Sequence, residues 1–372
     1  MTRRTRSHGA PRPVARGVAV ALTVLALGAC SSDDDDDDAM DGGDDMTGGM
    51  NGSPEGDFAV VANDGSSPGS VQLYSPDLAS GVGGPIQGGA NQNVAYGPDG
   101  TLYQNSDADG MTGLFVVNPD SGETTQIGSA PGKGLRYVTG QDLLASCDVT
   151  DADADLKLFS PTATDADAAP VNTVDLPAPC WDTFWDEGNG RLYAALTDGS
   201  LAILDDFVAV DLADVGIDLV AGTAVDRTVT FAAGASNLHG VFAENGTVLV
   251  SDVGAATAPD DEGDFGADGQ LFVLDDGAGD LDGEVDVEPI GGPATMLGNP
   301  VDVVLLDGDA IVAEKVNDAL LVFEDVATLT GDVMPDYQQS FTKPESIELV
   351  VGGIADSTTD GDDTDDTDDT DG

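Results

Sequence analysis

What this sequence most lacks is positive charge: 12 Lys and Arg stand against 70 Asp and Glu, for a formal net charge of −58. Five of the 12 bases fall in residues 1–29, so seven are left to face all 70 acids. A surface of that sign repels phosphate backbones and anionic head groups, which argues against nucleic acid as a partner. Histidine is nearly missing too. After residue 29 only His239 remains, which excludes zinc sites built on several His. There is no Gly-x-Ser-x-Gly elbow, no redox Cys-x-x-Cys, no haem motif and no Gly-rich phosphate loop. Helical periodicity is almost absent, and no apolar run reaches the roughly 20 residues a bilayer-spanning helix needs.

The bases that do exist are informative at the N-terminus. Arg3, Arg4, Arg6, Arg12 and Arg16 precede an apolar run from Val18 to Leu27. That run is too short to span a membrane but right for the core of a signal peptide. Leu27-Gly28-Ala29-Cys30 closes it. Small residues before a Cys, directly after such a core, resemble the lipobox of bacterial lipoproteins. The resemblance implies lipid on Cys30, a protein anchored to a membrane without crossing it, and an extracytoplasmic location. Ser31 at the next position implies the outer membrane or cell surface.

Composition then divides the chain into a signal peptide (1–29), an acidic tether (30–56), a body (57–355) and an acidic tail (356–372). Tether and tail are Asp, Gly, Ser and Thr with almost nothing to bury, so both read as disordered. They do not account for the charge. Ten acids lie in 33–55 and nine in 356–372, which leaves 51 in the body beside its seven bases. A folded domain this acidic repels itself in dilute buffer. Molar salt cuts the screening length to about 3 Å and relieves the repulsion. The body therefore reads as salt-adapted, with neutralisation by bound Ca²⁺ as the rival. Beyond Cys30, Cys147 and Cys180 remain; export favours a disulfide between them, the alternative being two buried thiols.

Within the body, short apolar runs alternate with Asp-Gly, Asn-Gly and Gly-Pro turns, which makes the fold class all-β. One pattern recurs roughly every 40–60 residues: a polar residue leading a strand, a tight turn, a second strand, a loop and a third strand. It starts at Asn93, Leu135, Asp182, His239 and Asp302. A sixth start at Glu345 has no sequel, but Phe58–Val61 and Val71–Tyr74 could supply its missing strands. A ring closed by strands from both ends is how propellers remove their last edge. The expectation is a β-propeller of six blades, or seven, over a sandwich pair or a β-helix. Gly97-Pro-Asp-Gly-Thr-Leu-Tyr103 and Asn299-Pro-Val-Asp302 resemble phrases of the NHL-repeat and gluconolactonase (senescence-marker) propellers.

In a propeller the first strand of each blade lines the channel, so Asn93, Asp182, His239, Asp302 and Glu345 are expected there. Gluconolactonase-type propellers hold a divalent metal at this place and use an acid as base. The resemblance implies Asn237, Asp302 and Glu345 as the metal set, with Asp302, Glu345 or His239 as candidate catalytic groups. The plainer expectation is a polar, water-filled channel. Separately, Asn105-Ser-Asp107-Ala-Asp109-Gly110 resembles the first half of a calcium loop but lacks the closing acid. Trp181 and Trp185 should share one strand face by alternation.

These readings lean toward a monomeric, lipid-anchored propeller that binds a protein or glycan and leave open whether it is an enzyme. The alternative is a metal-dependent hydrolase of lactonase type at the central channel. Salt adaptation makes a direct prediction: the unfolding midpoint should climb with KCl through the molar range. Equal stability in about 50 mM and 2 M salt would refute it.

Overall fold

The computed structural model describes residues 58–63, 69–75, 78, 86–88, 93–108, 111–118, 123–129, 132–148, 155–207, 225–255 and 268–350, with backbone alone for 58–63, 69–70, 86–88, 107–108 and 111. The expected signal peptide, Cys30, tether and acidic tail lie outside the described residues.

The chain begins with β1 (Phe58–Asn63), β2 (Gly69–Tyr74) and β3 (Ile86–Gly88). Next come β4 (Asn93–Tyr96), β5 (Leu102–Ala108), β6 (Met111–Val117) and β7 (Thr124–Gly128), which form one antiparallel sheet in chain order. β8 (Lys133–Val138), β9 (Leu143–Cys147), β10 (Asp155–Phe159) and β11 (Asn172–Asp175) form another. β12 (Cys180–Asp186), β13 (Arg191–Leu196), β14 (Leu201–Leu204) and β15 (Arg227–Phe231) make a third. β16 (Leu238–Glu244), β17 (Thr247–Asp252) and β18 (Gln270–Asp275) continue the series. The chain then lends β19 (Gly283–Val285) to the edge of β15, in parallel, before β20 (Ile290–Gly291) completes its own sheet. β21 (Pro300–Leu306), β22 (Asp309–Glu314), β23 (Ala319–Phe323) and β24 (Tyr337–Ser340) form the fifth contiguous sheet. β25 (Pro344–Val350) returns to pair antiparallel with β1, from Phe58 opposite Val350 to Asn63 opposite Pro344. That last sheet, β25-β1-β2-β3, is built from both ends of the body.

The innermost strands pack on one another in a closed ring: β4 on β8, β8 on β12, β12 on β16, β16 on β21, β21 on β25 and β25 on β4. The fold is an all-β propeller. Its middle strands are buried on both faces, because each sheet is sandwiched between neighbours. Hence β9 and β14 are buried at every position, and β14 reads as an unbroken apolar run. The fourth strands were missed by the sequence pattern. β11 and β24 sit at the rim, mostly half-buried or exposed, and carry no apolar run to find.

Inner strands pose a specific problem. Their channel-side edge has no neighbouring strand, so their N–H groups must find other partners. Side chains of the next sheet supply them. Gly134 N donates to Asn93 Oδ1 (2.8 Å), Val241 N to Asp182 Oδ2 (3.1 Å), Ile347 N to Asp302 Oδ2 (2.8 Å) and Val94 N to Ser346 Oγ (3.2 Å). The β8–β12 junction is tied by Thr183 Oγ1 to Gly134 O (3.2 Å) and Arg136 Nε to Thr183 O (3.1 Å). At β16–β21 the backbones touch: a Cβ on Gly240 would lie 2.8 Å from Asp302 Cα. β-Bulges in β8, β12, β16 and β21 shift the pairing at this level and free the N–H groups to turn sideways.

Cys147 and Cys180 are joined by a disulfide that links β9 to the start of β12. In the chain-entropy view such a crosslink is worth roughly 3–4 kcal/mol.

Gly134 carries the sharpest backbone demand. Its φ is +56°, and a Cβ there would sit 2.4 Å from Asp182 Cα. Gly190 also has positive φ (+65°) but open space around it. Gly190→Ala should cost about 1 kcal/mol from strain alone, and Gly134→Ala about 3 kcal/mol or more. Equal losses in denaturant melts would show that the ring does not depend on close approach of β8 and β12.

Candidate functional site

The channel has two mouths, one where the inner strands start and one where they end. The N-terminal mouth carries the residue just before each hub tie: Lys133, Trp181, His239, Val301 and Glu345. Glu345 Oε1 lies 2.8 Å from Lys133 Nζ, and its Oε2 lies 2.7 Å from Lys315 Nζ, which comes from the turn after β22. Trp181 stacks on His239, with ring centroids 3.8 Å apart and planes within 9°. Lys133 Nζ sits 4.6 Å from the Trp181 ring centroid.

Electrostatics follow from this crowding. Burial opposes ionisation of Glu345, but the two lysines prevail and bring its pKa down to about 2. Burial holds the His239 imidazole well below its ordinary range; Glu345 works against this, and the lysines reinforce it. His239 is therefore neutral at pH 7, and among the described residues neither ring nitrogen has a hydrogen-bond partner. Just outside this layer, Asp252 accepts from the N–H groups of Ser236, Asn237 and Gly254. Glu314 does the same for Gly298, Asn299, Val316 and Asn317. Burial pushes Glu314 up to about 7 against the pull of those amides.

The C-terminal mouth opens into a cavity of about 450 Å³. Its walls come from five of the six inner strands and the turn after β4. Tyr96, Tyr137, Phe184, Trp185 and Phe242 provide aromatic surface, and Arg136 and Glu348 form an ion pair in the wall. Arg136 also lies 5.3 Å from the Phe184 ring centroid. Burial raises Glu348 to about 7, with Asp182 adding to the rise and Arg136 opposing it.

The structure separates residues that the sequence pattern grouped. Asn93, Asp182 and Asp302 are hub ties, aimed at neighbouring amides. Burial raises both Asp182 and Asp302, and for Asp302 the nearby Asp182 carboxylate adds to the rise. His239 and Glu345 lie one position earlier in their strands. Their hub equivalents are Gly240 and Ser346, so the alignment by first polar residue was out of register by one. Each member of the implied metal set has partners within the protein. Glu345 is neutralised by lysines, Asp302 accepts from Val303 N and Ile347 N, and Asn237 belongs to the loop tied by Asp252. Among the described residues no three His, Cys, Asp or Glu side chains converge on a metal position.

The calcium-loop residues fall only in part within the described structure. Asn105 to Ala108 belong to β5 and pair with β6 up to Ala108 opposite Met111. Asn105 is buried, accepting from Asn93 N and donating to Ser146 Oγ. Asp109 and the Asp107 side chain lie outside the described residues. Trp181 and Trp185 do not share a face either. The bulge at Trp181 reverses the alternation, leaving Trp181 at the N-terminal mouth. Trp185 packs against Phe207 and donates to Thr139 O. Sequence reasoning overlooked Lys133, Arg136, Lys315 and Glu348, although in a chain this poor in bases each of those cations was a signal.

No family model matches the chain, and no curated protein matches it in sequence. By structure it is similar to a chain of the nidogen/laminin complex, with TM-score 0.52, 9% identity, and 80% of this chain and 99% of that one covered. It is also similar to a protein assigned as a 6-phosphogluconolactonase from Bacteroides fragilis, with TM-score 0.50, 12% identity, and coverage of 79% and 98%. Hydrazine synthase from Kuenenia stuttgartiensis matches with TM-score 0.50 and 11% identity over 77% and 90%. Relatives this distant and this unlike one another share the fold and no more, so the class they define is the β-propeller.

The raised acids give a pH prediction. A Glu with a folded-state pKa of about 7, against about 4.3 when unfolded, binds a proton only in the folded state between those values. Stability from Glu348 and Glu314 is thus present below about pH 4 and lost as pH rises toward 7. Glu345 acts oppositely, its contribution being lost as pH falls from about 4.5 toward 2. In molar salt, the unfolding midpoint should decline from pH 5 to pH 7, and Glu348→Gln should flatten part of that decline. A midpoint that rises over this range in both proteins would refute the assignment.

Proposed function

We propose that the protein is a lipid-anchored, salt-adapted binding protein of the cell envelope. In this reading it is a six-bladed propeller, carried on lipid at Cys30 and held off the outer membrane or cell surface by the acidic tether. It is monomeric and takes a protein or glycan partner. The observation that supports binding over catalysis is the state of the channel carboxylates. Asp182 and Asp302 accept backbone N–H groups, and Glu345 is shared by two lysines. A general base or metal ligand must reach substrate or ion, and these carboxylates are buried and spend acceptor capacity on groups of the protein itself.

A lactone hydrolase acting at the channel is the second reading. What favours it is His239, a neutral imidazole with both nitrogens unpartnered, under the influence of Glu345. The two readings part in one assay. Full-length protein in molar KCl is given glucono-1,5-lactone, with calcium and then with chelator. The binding reading expects no hydrolysis above the uncatalysed rate, whereas turnover lost in His239→Ala would establish the hydrolase. For the anchor, Cys30→Ala should move the protein from the membrane fraction to the soluble one. Unchanged membrane association would count against it.

A further inference from the structure

We propose that the cavity at the C-terminal mouth is a ligand site for an uncharged saccharide ring, an inference that rests on the binding reading above. Its volume, about 450 Å³, falls within the roughly 300–1,000 Å³ typical of small-molecule sites. It is lined from five inner strands at once, so it belongs to the rigid centre of the molecule and not to one loop. Two constraints then narrow the ligand: its charge and its shape.

Charge comes first. Arg136 and Glu348 are the acid and base of the wall, and above about pH 7, where Glu348 is ionised, they neutralise each other. An anion would find its only cation already paired and would approach a molecule of net charge −58. A cation would find the only carboxylate already paired. A neutral ligand meets neither obstacle.

Shape and hydrogen bonding come second. Arg136 Nη1 donates to Glu348, and Arg136 Nε donates to Thr183 O. Among the described residues neither Arg136 Nη2 nor Glu348 Oε1 has a partner, so a free donor stands beside a free acceptor. Neighbouring hydroxyls on a ring match that pair, one accepting from the guanidinium and one donating to the carboxylate. The Tyr137 hydroxyl donates to Asp142 and Trp185 Nε1 donates to Thr139 O. Their polar atoms are therefore held in place, and with Tyr96, Phe184 and Phe242 they offer carbon surface. Such a wall receives the C–H face of a sugar ring while the Arg–Glu pair reads its hydroxyls.

The test uses full-length protein in detergent and molar KCl, titrated with methyl α-D-glucopyranoside, D-galactose, D-mannose and N-acetyl-D-glucosamine. Gluconate serves as anion control and phenol as aromatic control. Saturation-transfer NMR reads contact, and protein fluorescence reads affinity. At least one neutral sugar is expected to bind saturably. At pH 8, Glu348→Gln should weaken it about tenfold or more, as expected when a hydrogen bond to a charged group is lost, with the circular dichroism spectrum of the folded protein retained. Phe242→Ala should weaken it as well; should that variant fail to fold, the nearly isosteric Glu348→Gln carries the test. Binding by no neutral sugar overturns the proposal, as does preference for phenol or gluconate. A sugar that binds equally well to Glu348→Gln overturns the pocket assignment and leaves the binding reading standing. A bound sugar that is chemically converted overturns the binding reading instead.

Discussion

Everything in this fold depends on how the inner strands satisfy the backbone groups that face the channel. A propeller removes the outer mismatch of a sheet by closing into a ring, but each sheet still presents one unpaired edge toward the axis. Buried amides there must be matched or the ring cannot close. Here Asn93, Asp182, Asp302 and Ser346 reach sideways to the next strand, and bulges turn the amides to meet them. The polar residues that lead the inner strands are therefore structural first. Whatever chemistry the channel performs has to come from groups left over after closure, and among the described residues these include His239 at one mouth and the Arg136–Glu348 wall at the other.

Charge is arranged under the same pressure. Many acids are acceptors for loop backbone, as Asp252 and Glu314 are, so part of the acidic excess is fixed inside the fold. Of the seven bases after residue 29, six make ion pairs among the described residues. Three of them, Lys133, Arg136 and Lys315, sit at the channel, where a buried carboxylate would otherwise be uncompensated. Arg191 and Arg227 brace Asp205 and Asp276 at the outer side of the β12 sheet. The outer surface is left acidic, which makes solution ionic strength a part of the energetics.

Much of the fold was legible. Leu201–Leu204 was recognisable as a strand, and the pairing of β25 with β1 followed from a leading strand without a sequel and two N-terminal strands without a lead. Both signals are local: apolar runs bounded by turns. The site was less legible. Asp182 and His239 look equivalent as polar residues heading apolar strands, yet one ties the hub and the other faces the mouth. A single bulge changes which side chain points where, and nothing in the local pattern announces it. Asn105 and its Asp neighbours looked like a loop because their residues are polar. Asn105 to Ala108 form a strand because β6 pairs along that whole segment and β4 pairs with Asn105 on the other side.

By itself, then, the sequence determined the class of fold and the balance of charge, because strand periodicity, turn residues and composition are properties of neighbouring positions. Only the tertiary structure decided which polar groups are engaged and which are free. Glu345 meets Lys133 and Lys315, and Arg136 meets Glu348 about two hundred residues along the chain. Such partners come together only when the ring closes.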